Sequence, residues 1–100
     1  MNHCVIQGRV AAPPRPRRRA EGTAASADMT IIVPGFKDDE PAMELPVLLW
    51  GQQADAAINA LRGGELVTVE GRLGIVLASR VDGERNRCAE LSASRLHVSR

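Results

Sequence analysis

Apolar and polar residues alternate almost from the first position. Between His3 and Val10, Cys4, Ile6, Gly8 and Val10 fall on one side and Val5, Gln7 and Arg9 on the other. That is the period of a strand with one buried face. The alternation stops at Ala11. From there to Gly22, Pro13, Pro14 and Pro16 stand among arginines, and prolines at that density are excluded from a central strand. This stretch is predicted to be an exposed loop. Met29 to Val33 is rich in β-branched residues and runs into the turn dipeptide Pro34-Gly35, which marks a second strand and its end. Leu45 to Trp50 gives a third β segment, interrupted only by Pro46 near its start.

The period then changes. Ala54, Ala56, Ala57 and Ala60 favour a helix, Ile58 and Leu61 fall three apart on one face, and Gly63-Gly64 supplies a stop. One short helix is predicted over Gln52 to Leu61. Period two returns from Leu66 to Leu73, with Val67, Val69, Gly71 and Leu73 opposed to Thr68, Glu70 and Arg72. Gly74 to Ala78 extends this strand. Asp82-Gly83 is a hairpin signal, Arg87 to Leu91 reads as the returning strand, and Leu96-His97-Val98 as a final short one. The order is β-β-β-α-β-β, all-β with one short helix. Five strands with a helix between the third and fourth is the topology of the OB-fold barrel, which mostly binds oligonucleotides or oligosaccharides. The fold alone does not decide among its ligands.

A chain of 100 residues suits one domain, 1–100. Hydrophobic residues make up 44% and charged residues 25%, near the globular average, which argues against disorder. No apolar run approaches the roughly 18 to 20 residues of a bilayer span, and Met1-Asn2-His3-Cys4 lacks the build of a signal peptide. A cytoplasmic protein with no membrane partner is expected. Cys4 and Cys88 have neither CxxC spacing nor a histidine cluster, so they read as reduced thiols, with no metal and no cofactor. His3 and His97 stand near opposite ends of the sequence, no Gly-rich phosphate loop is present, and Asp38-Asp39-Glu40 sits in a turn. No catalytic constellation emerges, and the expectation is a protein that is not an enzyme.

The net charge is only +1, but it is unevenly spread. Arg9, Arg15, Arg17, Arg18 and Arg19 precede a lone Glu21, whereas Lys37 is followed by Asp38, Asp39, Glu40 and Glu44. Two segments of opposite sign thus sit on one small domain. All but Lys37 of the thirteen basic residues are arginine, the side chain suited to forked phosphate contacts and to stacking on bases.

Several motifs in order resemble the bacterial single-stranded DNA-binding protein family over nearly the whole chain. Met1-Asn2 followed by alternation into Gly8-Arg9-Val10, then Pro14 and Gly22-Thr23-Ala24, looks like its opening strand, loop and second strand. Pro46-Val47-Leu48-Leu49-Trp50-Gly51-Gln52-Gln53-Ala54 resembles the family's apolar run, aromatic, glycine and helix start. Gly64-Glu65-Leu66-Val67-Thr68-Val69-Glu70-Gly71-Arg72-Leu73 resembles its next strand. The resemblance implies sequence-tolerant binding of single-stranded DNA, with replication or repair proteins as further partners. Departures are also visible. Trp50 falls on a family aromatic and Phe36 close to a second, but Glu44 and Ala78 replace two more. Members typically carry a tail with an acidic tip that recruits repair and replication enzymes, whereas this sequence stops at Arg100. A short paralogue is expected, similar also to primosomal replication protein N, a dimeric relative that binds single strands mainly through basic loops.

On this basis the candidate contacts are Trp50 and Phe36 for base stacking, and Arg17, Arg18 and Arg19 for phosphates, Arg17 matching a family arginine. Arg72, Arg80, Arg85 and Arg87 lie on the strand after the helix and the hairpin that follows, beside the same groove. A lone Trp also fills cores and subunit interfaces. The alternative reading is a protein-interaction or structural subunit that uses Ile75-Val76-Leu77 as an apolar contact. In either case a homodimer or homotetramer is expected, with the first strand, bearing Val5 and Gln7, as the seam.

Overall fold

The structure is a computed structural model that describes residues 2–17, 25–79 and 85–99. Its elements are β1 (Cys4–Val10), β2 (Arg15–Pro16), β3 (Ser26–Val33), β4 (Met43–Trp50), α1 (Gly51–Ala60), β5 (Leu66–Ser79) and β6 (Arg85–Val98). The strands follow the order β1-β5-β6-β4-β3-β2, and a further pairing of β1 with β3 closes β1, β5, β6, β4 and β3 into a ring. This is the expected five-stranded barrel. Its two closing seams are short: Arg9 and Val10 of β1 meet Ile32 and Ile31 of β3, and Val47 and Leu48 of β4 run parallel to Leu91 and Ser92 of β6.

The alternation read from the sequence decides what the barrel encloses. Val10, Ile31, Val47, Leu49, Val67, Val69 and Leu91 are each at most 2% exposed, whereas Val5, Gln7 and Arg9 of β1 face outward. Ala54, Ala57 and Leu61 bring the helix against the same core. Glycine is required where the wall closes. A Cβ on Gly8 would stand 2.7 Å from the carbonyl oxygen of Ile32, so only a residue without one lets β3 come up against β1.

The second and third predicted strands start earlier than expected, at Ser26 and Met43, and three further boundaries differ from the sequence reading. The proline-rich segment is not loop throughout, because Arg15 and Pro16 pair with Asp28 and Ala27. They do so at the sheet edge, where a missing N–H is tolerated. The helix spans Gly51–Ala60, and Leu61 is its C-cap, followed by Gly63 and Gly64 at φ of 121° and 91°. The largest difference is in the last strand. The two pieces predicted over 87–91 and 96–98 are one strand, paired with β5 along its length. Ser92, Ala93 and Ser94 have weak strand propensity and read as a gap. In the structure Glu70 faces Arg95 and Gly71 faces Ala93, so Ser94 is the extra residue of a bulge, and its hydroxyl donates to the Glu70 carbonyl at 3.2 Å.

Candidate nucleic-acid interface

The outer face of β4 organises the site. Trp50 ends this strand in an extended conformation and Gly51, at φ 59°, turns the chain into α1. Directly paired residues share a face, so the register draws a row across the sheet: Asp28 on β3, Leu48 on β4, Ser92 on β6 and Arg72 on β5. Trp50 lies two residues along from Leu48 on that same face. It is 46% exposed, and its indole Nε1–H donates to Ser92 Oγ at 3.2 Å. The ring is therefore anchored at its polar edge while much of its surface stays open, as a stacking platform requires.

Arg72, exposed on β5, stands on the far side of Ser92 and shares an open cleft with Asn2, His3, Ser92 and Ser94. Arg17 approaches from the opposite flank. Its backbone N–H donates to the Ser26 carbonyl at 2.9 Å. Its guanidinium is forked onto Asp28, with Nε to Oδ2 at 3.2 Å and Nη2 to Oδ1 at 2.6 Å, and Nη2 also lies 3.9 Å from Glu90 Oε2. The Asp28 hydrogen bonds raise the Arg17 pKa above its usual value; slight burial opposes them, and the charges of Asp28 and Glu90 add to them. Arg17 thus shares a face with Trp50, but its guanidinium already holds a carboxylate.

Phe36 is fully exposed in the loop between β3 and β4, where its backbone N–H donates to Glu40 Oε2 at 3.0 Å. This loop enters β4 at Met43, whereas Trp50 ends the strand. The length of β4, about 25 Å for eight residues, therefore separates the two aromatics. Glu44 is exposed near the start of the same strand. Arg18, Arg19 and Arg80 lie outside the described residues, as does the Asp82-Gly83 turn, and Arg85 and Arg87 are placed only as backbone of β6. Of the Ile75-Val76-Leu77 contact, Ile75 is 67% and Val76 37% exposed. Leu77 is placed only as backbone of β5. Ser92, Asp28 and Glu90 were not singled out from the sequence. The polar alternation of Glu90, Ser92 and Ser94 was the signal for two of them, hidden by the apparent break in the strand.

Among the described residues no group of three or more His, Cys, Asp or Glu is placed to hold a metal ion, and no helix is long and apolar enough to cross a membrane.

A closed five-stranded barrel with an anchored, exposed tryptophan beside arginines defines an OB-type binding module. Residues 1–99 match the single-strand binding protein family, and the chain belongs to it. It is 32% identical to a thylakoid-associated single-stranded DNA-binding protein of Synechocystis, over 98% of this chain and 76% of that protein. It is 29% identical to single-stranded DNA-binding protein 3 of Clostridium acetobutylicum, over 93% of this chain and 67% of that one. Among solved structures it resembles the SSB domain of a Synechococcus protein, with a TM-score of 0.74 at 28% identity, covering 97% of this chain and 94% of that one.

Proposed function

We propose that this protein binds single-stranded DNA without regard to sequence and without catalysing a reaction, serving replication, repair or recombination. The observation that carries this reading is Trp50, held by Ser92 yet 46% exposed at the end of β4, with Arg72 on one flank and Arg17 on the other. Aromatic faces accept any base and cations track the backbone, so the combination is tolerant of sequence. Arg18, Arg19, Arg80, Arg85 and Arg87 are further candidates for phosphate contacts, and Phe36 for a base reached at the far end of β4. Family membership supports the reading, and DNA as ligand implies a nucleoid-associated location in the cytoplasm.

Trp50 is the sole tryptophan, so its fluorescence reports on this face alone. Titration with oligothymidylate is expected to quench it at low salt and to lose the quenching as salt rises, because phosphate contacts release counterions. An unchanged signal at micromolar protein would count against the proposal.

One observation favours a second reading, a protein-interaction subunit: Ile75 and Val76, neighbours on β5, are both exposed. A partner from a lysate that stays bound after nuclease treatment and is lost on Ile75→Lys would support that reading. A partner released by nuclease is held through DNA.

A further inference from the structure

Arg17 reaches across β4. Asp28 belongs to β3 and Glu90 to β6, the two strands that flank β4 in the sheet. A guanidinium forked onto Asp28 and 3.9 Å from Glu90 therefore lies over the outer face of β4. Leu48 sits on that face, outside the core cluster, and is nevertheless only 6% exposed. The bridge consequently runs beside the row that leads from Asp28 through Leu48 and Ser92 to Arg72. That row is the track on which the strand would lie.

We propose that Asp28, seconded by Glu90, competes with the nucleic-acid backbone for Arg17 and so sets the affinity of the Trp50 face. This inference rests on the DNA-binding function proposed above. A carboxylate and a phosphate present the same forked pair of acceptors to a guanidinium, so one anion replaces the other at Arg17 with little rearrangement. The side chains of Arg17 and Asp28 are 44% and 52% exposed, open enough to water for the pair to exchange partners. A strand that takes Arg17 has to displace Asp28, and the two unpaired carboxylates left beside the phosphates weaken the gain. The face is self-occupied in the absence of ligand.

The test is a thermodynamic cycle on the whole chain, with fluorescence anisotropy of a labelled oligothymidylate followed over a salt series for wild type, Asp28→Asn, Arg17→Ala and the double variant. Asp28→Asn nearly preserves the shape of an exposed side chain and is expected to fold. It should strengthen binding about two- to fivefold at low salt, the scale of an exposed ion pair, and steepen the salt dependence by about 0.7, one phosphate contact on a single strand. Both gains should vanish in the Arg17→Ala background. Glu90→Gln should act in the same direction but more weakly, since its contact with Arg17 is longer. Equal strengthening by Asp28→Asn with and without Arg17 would show a simple loss of negative charge and overturn the proposal, as would no strengthening at all. Failure of all four proteins to bind at low salt would remove the DNA-binding reading itself.

Discussion

Trp50 is where the chemistry of a single residue bears most directly on function. A base stacked on an aromatic contributes roughly 1–3 kcal/mol. Trp50→Ala is therefore expected to weaken oligothymidylate binding by about 5- to 150-fold, read by anisotropy of the labelled strand because the substitution removes the intrinsic fluorophore. The loss should be similar at low and high salt, since stacking releases no counterions, whereas loss of Arg72 should flatten the salt dependence. Trp50 was legible in the sequence because period two on β4 puts it opposite Val47 and Leu49, which are buried. Its anchor was not legible. Ser92 lies 42 residues away in the chain and meets Trp50 only because β4 and β6 pair in parallel, a long-range contact that no local pattern encodes. The Arg17 bridge was hidden for the same reason: the sequence showed an arginine run and separate carboxylates, and only the barrel brings Asp28 and Glu90 to either side of β4.

Strands and helix were legible wherever one face is buried and the other is not. β1 and β5 as far as Leu73 follow strict alternation, and the structure turns the expected faces inward. β6 was read in two pieces because its middle is built from alanine and serine, whose propensities say little, and because the bulge at Ser94 breaks register without breaking the strand. Two tests belong at this scale. Gly8→Ala would ordinarily favour a strand, yet its Cβ would stand 2.7 Å from the Ile32 carbonyl oxygen, and that clash decides the sign. A destabilisation of about 1–3 kcal/mol is expected, measured by urea unfolding, and a stabilised variant would contradict the close approach at the β1–β3 seam. The second concerns the turn after α1, where the Glu65 carboxylate accepts backbone N–H groups from Arg62 and Gly63, each at 2.8 Å. The Arg62 hydrogen bond, then those from Glu65 itself and Gly63, hold the Glu65 pKa below the ordinary carboxylate value. A folded-state pKa lower than the unfolded one contributes stability above the unfolded pKa and loses it as pH falls through the folded one. Wild type should therefore melt higher than Glu65→Gln at neutral pH, and the difference should close in acid below the ordinary glutamate range. A difference independent of pH would show that the carboxylate charge is not what ties the turn.

For the whole molecule, what matters is that one side of β1 is left partly unpaired although the barrel closes. β1 pairs with β5 from Cys4 to Arg9, but with β3 only at Arg9 and Val10. Among the described residues no strand covers the other side of Cys4 to Gln7. Val10 directs its N–H and C=O to Glu65 and Gly64, and Ala11 directs its N–H to Thr30 of β3. Backbone groups alternate in direction along a strand, so those of Val5 and Gln7 point to the uncovered edge. An edge of this kind with an exposed Val5, 56% accessible, invites pairing with another copy, and antiparallel pairing of β1 with its symmetry mate would close it isologously. Two binding faces would then lie on one particle, and a strand long enough to reach both would be held more tightly than by either alone. Light scattering after size exclusion is expected to give a multiple of the 10.7 kDa chain mass; that single-chain mass across a broad dilution series would refute the assembly. Val5→Pro is the sharper test. It removes an N–H that faces the uncovered edge and leaves the β1–β5 ladder its donors at Cys4, Ile6 and Gly8. The variant should stay folded by circular dichroism, shift to the single-chain mass, and lose the avidity on long oligonucleotides while keeping wild-type affinity for short ones.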